Sequence, residues 1–493
     1  MFTYFENALV VNEGKKEVLN ILVKDDRIER ISKSPLSDLP FNTTYIDCQG
    51  LILLPGVIDA HVHFRQPGLT EKADMHSESM AAVAGGVTTV LEMPNTNPTT
   101  TNAEALKEKI QLAKENMLCN YGFFLGLTNN NFSEIPNINP KDYCGLKLFL
   151  GSSTGNMLVD NQNILEEIFS KTNTIISAHC EDEKIIKENT AYYKEKYEGK
   201  ETPANIHSLI RTSEACFKST SFAVELAKKH NTKLHIAHIT TKEELTLLSA
   251  GELENKHITA EVSPNHLWFS EQDFEKYGNL IKCNPSIKTK EDRDALRKAL
   301  NEDKIDIIAT DHAPHRLEEK QKPYFQAPSG MPSIQHSLLM MLDLVSQGVL
   351  TIEKLVEKMS HNPATLFDIK NRGFIRENYF ADFVLIDSKQ KTTVLKENIY
   401  YKCKWSPLEN YTFNNKVIST YINGKKVFEN GDFFFKKFGR FKKPTYLCKR
   451  KQGEYSSVGL EHLPYKQRVI GSNPITPTKR RSNHKQVVAF FII

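Results

Sequence analysis

The chain has 493 residues, of which 40% are hydrophobic and 25% charged, and its formal net charge is +4. This composition is typical of a soluble globular protein, and no apolar run is long enough to cross a bilayer, so we expect no membrane association. The length exceeds that of one average domain and predicts one large domain with a smaller one.

The positive net charge comes from one end of the chain. Residues 436–493 hold 14 Lys/Arg and 2 Asp/Glu, so the preceding 435 residues carry 50 basic and 58 acidic groups, a net charge of −8. A mildly acidic body argues against a nucleic-acid-binding surface there. The eight cysteines form no CxxC motif and no pairing rhythm, which favours a reducing, cytoplasmic location.

Both flanks of the chain are rich in short strand-like segments. Residues 1–55 alternate apolar and polar positions between Gly and Asn turns, and residues 373–430 repeat this texture in GFIRENYFADFVLID and VISTYINGKKVFENG. We therefore predict one small β-sandwich domain built from both chain ends, with residues 1–55 as its first part and 366–435 as its second.

The middle of the chain, residues 56–365, alternates apolar β-prone runs with helix-like stretches such as NAEALKEKIQLAKENM. Eight runs follow one another: Val57–Ala60, Thr88–Met93, Tyr121–Leu125, Leu146–Leu150, Thr174–Ala178, Lys233–Ala237, Ile258–Val262 and Ile305–Thr310. Eight parallel strands, each followed by a helix, predict an α/β fold of the (β/α)8 TIM-barrel type.

Six of the eight runs contain or lead into a side chain that can bind a metal ion or a substrate. These residues are His61, His63, Asn95, Lys147, His179, His238 and Asp311. Because the chemistry of such barrels lies at the C-terminal ends of the strands, we expect these side chains to meet at one rim.

The first run ends in Asp59-Ala60-His61-Val62-His63. Residues i and i+2 of a strand point the same way, so His61 and His63 can ligate one metal ion together. Asp59 lies on the same face and is a candidate to orient a ligand. Taken alone, this motif is also compatible with two ordinary, partly exposed histidines.

Three further candidate ligands follow later strands. His179 and His238 each come after a hydrophobic run, where a buried histidine satisfied by backbone groups is the alternative. Asp311 stands at the end of the eighth run, and a carboxylate that emerges from a buried strand needs a charge partner. A metal ion would supply that charge.

Lys147 lies inside the apolar segment Gly145-Leu146-Lys147-Leu148-Phe149. A charged lysine is costly in such a strand unless it is paired. Reaction of its amine with carbon dioxide would give a carbamate, whose two oxygens can bridge two metal ions. The alternative is a lysine that extends to solvent at the strand end.

Seven motifs occur in a fixed order: DAHVHFR, MPNT, GLKLF, AHCED, AHITT, KCNPSIK and ATDHAPH. With HNPATLFDI and KWSPLEN, in a region from about residue 5 to about residue 430, the set resembles the amidohydrolase superfamily and, within it, the dihydroorotase family. The resemblance implies two zinc ions per subunit. It assigns His61, His63 and Asp311 to one ion, His179 and His238 to the other, and carbamylated Lys147 to the bridge.

The resemblance also implies a substrate. Arg65, Asn95 and His315 are similar to the three residues that grip the substrate carboxylate in dihydroorotases, and Asn284 is similar to the residue that hydrogen-bonds the ring edge. An arginine fork suits a fixed carboxylate. The implied reaction is the reversible hydrolysis of L-dihydroorotate to N-carbamoyl-L-aspartate by a metal-bridged hydroxide, with Asp311 as general base and then general acid. We further expect a homo-oligomer, in its simplest form a dimer.

Two alternatives stay open. An allantoinase or hydantoinase would have the same fold, but hydantoinases and dihydropyrimidinases generally lack an arginine at the position of Arg65, and Asn95 also argues against them. A non-catalytic relative that serves as a scaffold would usually have lost metal ligands, whereas every expected ligand is present. His/carboxylate sites also accept cobalt or manganese in place of zinc.

The basic segment 436–493 lacks the alternation that precedes it. Ser456–Gly459 and Gly471–Pro474 can be encoded by AGC TCA GTT GGT and GGT TCG AAT CCN, which match the D-arm and T-arm of a transfer RNA gene and lie 15 codons apart. We hypothesise that the reading frame runs through such a gene, and we predict a disordered tail. The alternative is a basic tail that binds a partner.

Overall fold

The computed structural model describes residues 1–151 and 157–434. The hypotheses for segment 436–493 lie outside these described residues. Within the described ranges, no helix has the length and apolarity needed to cross a lipid bilayer.

The chain begins with five strands: β1 Phe2–Asn12, β2 Lys15–Lys24, β3 Arg27–Ser32, β4 Thr44–Asp47 and β5 Ile52–Pro55. Strands β1, β2 and β3 form an antiparallel meander, whereas β4 and β5 both run parallel to β1. Buried Phe5, Ile21 and Leu53 belong to a separate hydrophobic cluster of this region, as the alternation in the sequence predicts.

Eight parallel strands form the centre of the fold: β6 Val57–Val62, β7 Val87–Glu92, β8 Asn120–Gly126, β9 Gly145–Phe149, β10 Ile176–His179, β11 Leu234–Ile236, β12 Ile258–Val262 and β13 Ile307–Ile308. Their spatial order equals their chain order. Val62 and His312 form an isolated parallel β-bridge, which places the first barrel strand next to the segment that follows the last one. The predicted (β/α)8 barrel is confirmed, and each predicted run overlaps one of these strands.

All residues of the barrel strands are buried except Ile258, which is half-buried. A parallel sheet covered on both faces requires such near-continuous apolar runs. The few polar residues inside these strands therefore need a specific partner or a function.

Thirteen α-helices lie in the described ranges: α1 Met75–Ala84, α2 Ala103–Asn116, α3 Gln162–Lys171, α4 Glu183–Lys196, α5 Ile206–Ile210, α6 Ser213–His230, α7 Pro264–Trp268, α8 Phe274–Tyr277, α9 Lys290–Asn301, α10 Leu317–Lys320, α11 Ser337–Ser346, α12 Ile352–Val356 and α13 Asn362–Leu366. Side-chain caps mark many of their starts: the Thr289 side chain accepts from Asp292 N at the start of α9. That helix buries Leu296 and Leu300 in the core that it shares with the barrel strands.

In the described part of the chain, six strands follow the barrel: β14 Phe383–Asp387, β15 Thr392–Thr393, β16 Thr412–Phe413, β17 Lys416–Ile422, β18 Lys425–Glu429 and β19 Asp432–Phe433. Strand β14 pairs antiparallel with β5, and β17, β18 and β19 extend the sheet outward from β14. The two ends of the described chain thus meet in one nine-stranded sheet, which confirms the predicted small β domain built from both chain ends. Strands β15 and β16 form a separate pair.

Candidate metal centre and active site

A cavity of about 770 Å³ opens at the C-terminal ends of the barrel strands. All ten residues that the sequence predicts to bind metal or substrate line this cavity: His61, His63, Arg65, Asn95, Lys147, His179, His238, Asn284, Asp311 and His315. The structure therefore brings all ten together. The role of each one stays a prediction.

A buried aspartate joins the first barrel strand to the segment after the last one. Asp59 accepts hydrogen bonds from Thr310 Oγ1 at 2.6 Å and from Thr310 N at 3.0 Å, and a longer one from His61 N at 3.3 Å. Burial raises the pKa of Asp59 to about 6. Asp59 thus orients the backbone at His61 rather than its ring, and it holds His61 beside Asp311.

Three ligand atoms converge next to Asp59. His61 Nδ1 contacts the Glu261 carboxylate, and His63 Nδ1 lies 2.8 Å from Asn95 Oδ1. Because these oxygens only accept, each Nδ1 carries a proton and each Nε2 faces the Asp311 carboxylate. The two Nε2 atoms lie 3.4 and 3.0 Å from Asp311 Oδ1. Two imidazole nitrogens and a carboxylate oxygen that converge in this way are typical of a cation site, and one ligand atom from each of the three residues lies within 4.8 Å of the others.

The protonation states in this cluster also suit a metal ion. Burial lowers the pKa of His63 to about 4, so its ring is neutral at neutral pH. Burial by itself would raise the pKa of Asp311, but His61 and His63 beside it hold that pKa below its ordinary value. A metal ion binds neutral imidazoles and ionised carboxylates.

A second pair of histidines adjoins the first cluster. His179 Nε2 donates to Glu181 Oε2 at 2.8 Å, and Arg211 contacts the same carboxylate oxygen. The His179 Nδ1 lone pair therefore lies 3.0 Å from His238 Nε2. His238 Nδ1 is buried and has no hydrogen-bond partner in the described part of the chain. The rings of His61 and His238 have centroids 5.3 Å apart, so the two clusters are neighbours.

Lys147 stands in β9 with an exposed fraction of 0%. Its Nζ lies 5.2 Å from the centre of the Phe149 ring and forms no hydrogen bond within the described ranges. Burial lowers the pKa of Lys147, although Glu261 and Asp311 act in the opposite direction. A neutral amine is the form that reacts with carbon dioxide. Complete burial shows that the alternative of a side chain extending to solvent is wrong.

Glu261 has no predicted role in the sequence, yet its carboxylate connects both clusters. It contacts His61 Nδ1, accepts from His238 N at 3.1 Å, and lies 3.1 Å from His235 Nε2. Its exposed fraction is 1%, and the neighbouring histidines hold its pKa well below the ordinary value against the opposing effect of burial. The sequence does contain one indication of Glu261: like Lys147, it is a charged residue inside an apolar strand.

A cationic corner, which we define as Arg65, Lys72 and His315, occupies another side of the cavity. Arg65 Nε donates to Pro314 O at 3.1 Å, and its Nη2 lies 3.2 Å from His315 Nε2. Lys72 Nζ lies 3.3 Å from His315 Nδ1. His315 Nε2 also lies 3.0 Å from Ser329 O, so this imidazole stands between two cationic side chains and a backbone carbonyl. Lys72 stands on the loop after β6, where the sequence offered no signal beyond its charge.

Asn284 lies on a different wall of the cavity. Its Oδ1 is 3.1 Å from His207 Nε2, which also lies 2.8 Å from Cys283 O. His207 Nδ1 lies 2.6 Å from Tyr324 OH. The orientation of Asn284 thus depends on His207, a histidine that no motif in the sequence indicates.

Three residues of the cavity adopt a left-handed backbone conformation. The φ angles are +66° at Arg65, +35° at His238 and +48° at Asp311. Such conformations cost about 1–3 kcal/mol each for residues other than glycine and tend to occur at functional sites. Here each one follows a barrel strand and turns a polar side chain toward the cavity.

The sequence pattern of the amidohydrolase family matches residues 52–427. Several curated relatives are named dihydroorotase. The one from Methanosphaera stadtmanae is 32% identical over 85% of this chain and 95% of its own length. The one from Pyrococcus furiosus is 34% identical over 87% of this chain and 95% of its own length. The one from Clostridium acetobutylicum is 32% identical over 87% of this chain and 98% of its own length.

Among solved structures, the L-hydantoinase (dihydropyrimidinase) from Arthrobacter aurescens is similar with a TM-score of 0.83 and 27% identity, over 88% of this chain and 98% of that one. The dihydropyrimidinase from Brevibacillus agri has a TM-score of 0.80 at 21% identity, over 88% of this chain and 96% of its own, and supports the fold alone. The relatives are thus cyclic amidohydrolases that differ in the substrates their names imply.

Proposed function

The chain belongs to the amidohydrolase family, and from this premise we propose that it catalyses the reversible hydrolysis of L-dihydroorotate to N-carbamoyl-L-aspartate, a step of pyrimidine synthesis. One observation carries the proposal: the cationic corner lines the same cavity as the two histidine clusters. The ring of dihydroorotate bears a carboxylate, which this corner can hold, whereas unsubstituted hydantoin and dihydrouracil offer it no such charge. The dihydroorotases that match this chain over more than nine-tenths of their length support the same substrate.

We further propose that two zinc ions occupy the histidine clusters. His61, His63 and Asp311 would hold one ion, His179 and His238 the other, and carbamylated Lys147 would bridge them. Lys147 Nζ is a buried nitrogen without a hydrogen-bond partner in the described ranges, so hydrogen bonds within the protein leave this site incompletely satisfied. When bound, the metal ions would supply Lewis acidity, which activates water near neutral pH and polarises a carbonyl.

The chain's own residues then move one proton. Asp311 is ionised at neutral pH, so it can accept a proton from the water whose oxygen attacks the ring C4 carbonyl carbon. As the C4–N3 bond breaks, Asp311 returns that proton to N3, which becomes the terminal NH2 of the carbamoyl group. C4 becomes a carboxylic acid, which releases the second proton of the water to solvent and leaves as a carboxylate. Arg65, Asn95 and His315 would hold the ring carboxylate, and Asn284 the ring edge.

A substrate panel tests the proposed function. We expect the purified full chain to turn over L-dihydroorotate in preference to hydantoin, dihydrouracil and allantoin. Arg65→Gln should raise the KM for dihydroorotate by about 10–100-fold, because a hydrogen bond between charged groups contributes about 1.5–3 kcal/mol. The same variant should change turnover of any uncharged ring much less.

Arg316→Gln is the matched control, because Arg316 is an exposed arginine next to His315. It should leave the KM unchanged. Preferred turnover of hydantoin or allantoin by the unmodified chain would refute the dihydroorotase proposal, while the assignment to the family would stand.

Glu261 provides a separate test of the proposed metal centre. Glu261→Gln keeps an oxygen that can accept from His61 Nδ1 and His238 N but removes the negative charge. We expect the affinity for zinc to fall by about 10–100-fold, the range typical for residues that support metal-ligating histidines. Titration of the metal-free protein against a competing chelator measures this affinity.

Asp306→Asn serves as the control for this substitution. Asp306 is a buried carboxylate that does not line the cavity. It accepts a hydrogen bond at 2.9 Å from the backbone N of Ala260, the residue before Glu261. Its replacement should lower stability without changing zinc affinity. Equal zinc affinities of the Glu261→Gln and unmodified proteins would contradict the role proposed for this carboxylate.

Two properties outside the site also remain proposals. We propose a cytoplasmic location, supported by the absence of any pairing rhythm among the eight cysteines. We also propose a homo-oligomer, in its simplest form a dimer, which sedimentation of the purified chain would test.

A further inference from the structure

Lys320 is a buried lysine at the end of α10, with an exposed fraction of 1%. Its Nζ donates to three backbone carbonyls: Lys282 O at 2.9 Å, Pro328 O at 2.9 Å and Gly330 O at 2.8 Å. It forms no ion pair with a carboxylate of the described ranges. Three acceptors require three N–H donors, which only the ammonium form supplies. Burial lowers the pKa of Lys320 to about 7.

These carbonyls belong to two segments that are distant in the sequence. Lys282 stands two residues before Asn284, whereas Pro328 and Gly330 lie beyond the eighth barrel strand. Asn284, Pro328 and Gly330 all line the cavity. The ammonium therefore joins two walls of the cavity at a point behind its surface, and Gly330 N adds a hydrogen bond to Lys282 O at 2.8 Å.

A second buried lysine reinforces the connection. Lys282 Nζ donates to Tyr324 O at 2.7 Å and to Ala327 O at 2.6 Å. The hydroxyl of Tyr324 contacts His207, whose other ring nitrogen lies beside Asn284. Hydrogen bonds with Lys282 thus hold the segment between Lys320 and Gly330 at both ends and in its middle. Lys282 lies two residues before Asn284, so these bonds fix the segment to the wall that contains Asn284.

Glycine at position 330 is a requirement of this arrangement. Its φ is +126°, and a Cβ atom there would lie 2.5 Å from Ala313 O. The backbone of Gly330 therefore packs directly against the loop that leads to His315. A shift of this segment would move both the Asn284 wall and the cationic corner.

We propose that Lys320 is a positioning residue, which fixes the spacing between the Asn284 wall and the Pro328–Gly330 wall of the substrate cavity. This inference rests on the proposed function, since it concerns the site that would hold dihydroorotate. Lys320 itself does not line the cavity and acts through the backbone that it binds. An apolar side chain there would leave buried carbonyls without their ammonium donor, so the two walls would separate or admit water.

The test compares two buried lysines in the full chain. Lys320→Met removes the connection between the walls. Lys288→Met is the matched control, because Lys288 is also buried but, among the described residues, its Nζ donates only to Ser286 O and Oγ of its own segment. We measure kcat and KM for dihydroorotate, zinc content, and hydrogen exchange of the backbone amides of residues 324–331.

For Lys320→Met we expect the KM to rise by about 10–100-fold, because misplacement of binding groups by about 1 Å has effects of this size. Zinc content should stay at the level of the unmodified chain, since the proposed ligands lie on other segments. Amide exchange in residues 324–331 should accelerate at least about tenfold, as expected when a segment opens locally. Lys288→Met should leave the KM and this exchange unchanged.

Several outcomes would overturn the inference: an unchanged KM and unchanged exchange in Lys320→Met, or the same changes in both variants, which would indicate a loss of stability only. If Lys320→Met does not fold, Lys320→Gln and Lys282→Met must each raise the KM and accelerate the exchange, or the inference fails. Absence of dihydroorotate turnover by the unmodified chain would instead refute the proposed function, and hydrogen exchange would still test the connection.

Discussion

Replacing Lys147 by alanine is expected to remove most of the bound metal and nearly all activity. The proposed carbamate would be the one group that contacts both ions, and without it four histidines and one aspartate would have to hold two dications. Loss of the metal ions would remove several kcal/mol of transition-state stabilisation, so kcat should fall by roughly a thousandfold or more. Elemental analysis of the purified variant, together with a dihydroorotate assay, measures both effects.

Rescue distinguishes a lost bridge from a damaged core. A short carboxylic acid such as acetate or propionate offers two oxygens and fits the space that the side chain vacates, so it should restore part of the metal content and activity. Lys109→Met is the matched control, because Lys109 is equally buried but forms an ion pair with Glu92 at 2.5 Å and does not line the cavity. Full metal occupancy in Lys147→Ala without any rescue would exclude the bridge.

Asp311→Asn is expected to remove nearly all turnover while leaving the metal content largely intact. The amide oxygen keeps one ligating atom, but an amide cannot accept and return a proton. Positioned acid–base groups contribute about 10²–10⁴-fold, so kcat should fall by that amount. Steady-state kinetics at saturating dihydroorotate and elemental analysis of the same preparation provide the measurement.

The pH profile of the unmodified chain adds a check on Asp311. Because His61 and His63 hold its pKa below the ordinary value, protonation of this carboxylate should reduce kcat/KM only at pH values below those at which a free aspartate titrates. An acidic limb near neutral pH would have to come from another group. A kcat of Asp311→Asn close to that of the unmodified chain would remove Asp311 from the proton transfer.

Sequence and structure comparisons point to different substrates within one family. The curated relatives are named dihydroorotase, whereas the solved structures reported above are hydantoinases and dihydropyrimidinases. A barrel scaffold is shared by enzymes of different specificity, so the fold does not decide between them. The residues that decide are those that can meet a charged substituent on the ring, and for this reason Arg65 carries the proposal.

The strand pattern made the barrel predictable from the sequence. Parallel strands buried on both faces must be apolar nearly throughout, so each strand appears in the sequence as an apolar run. A length within the four to eight residues typical of strands distinguishes each run from a helix. Polar residues at the ends of these runs, such as His179 and His238, were then expected at one rim. His61 and His63 added a second regularity, the two-residue period of a strand.

Other parts of the site could not be predicted. Glu261 lies 200 positions from His61, and no local pattern indicates that its carboxylate reaches that ring. Lys72 and His207 stand on a loop and on a short helix, where spacing carries no directional information. The sequence makes Asp59 a candidate to orient a ligand, but it does not indicate that Asp59 accepts hydrogen bonds from the backbone at Thr310 and His61.

The sequence by itself determined the elements of this protein, the order in which they follow one another, and the set of side chains delivered to one end of the barrel. These features depend on periodicity and burial, which are local properties of a chain. Only the tertiary structure decided which nitrogen of each histidine faces the cavity, which carboxylate supports which ring, and how Lys320 joins two walls. Hydrogen bonds between residues far apart in the chain determine these features. The geometry of these bonds exists only after the barrel has closed.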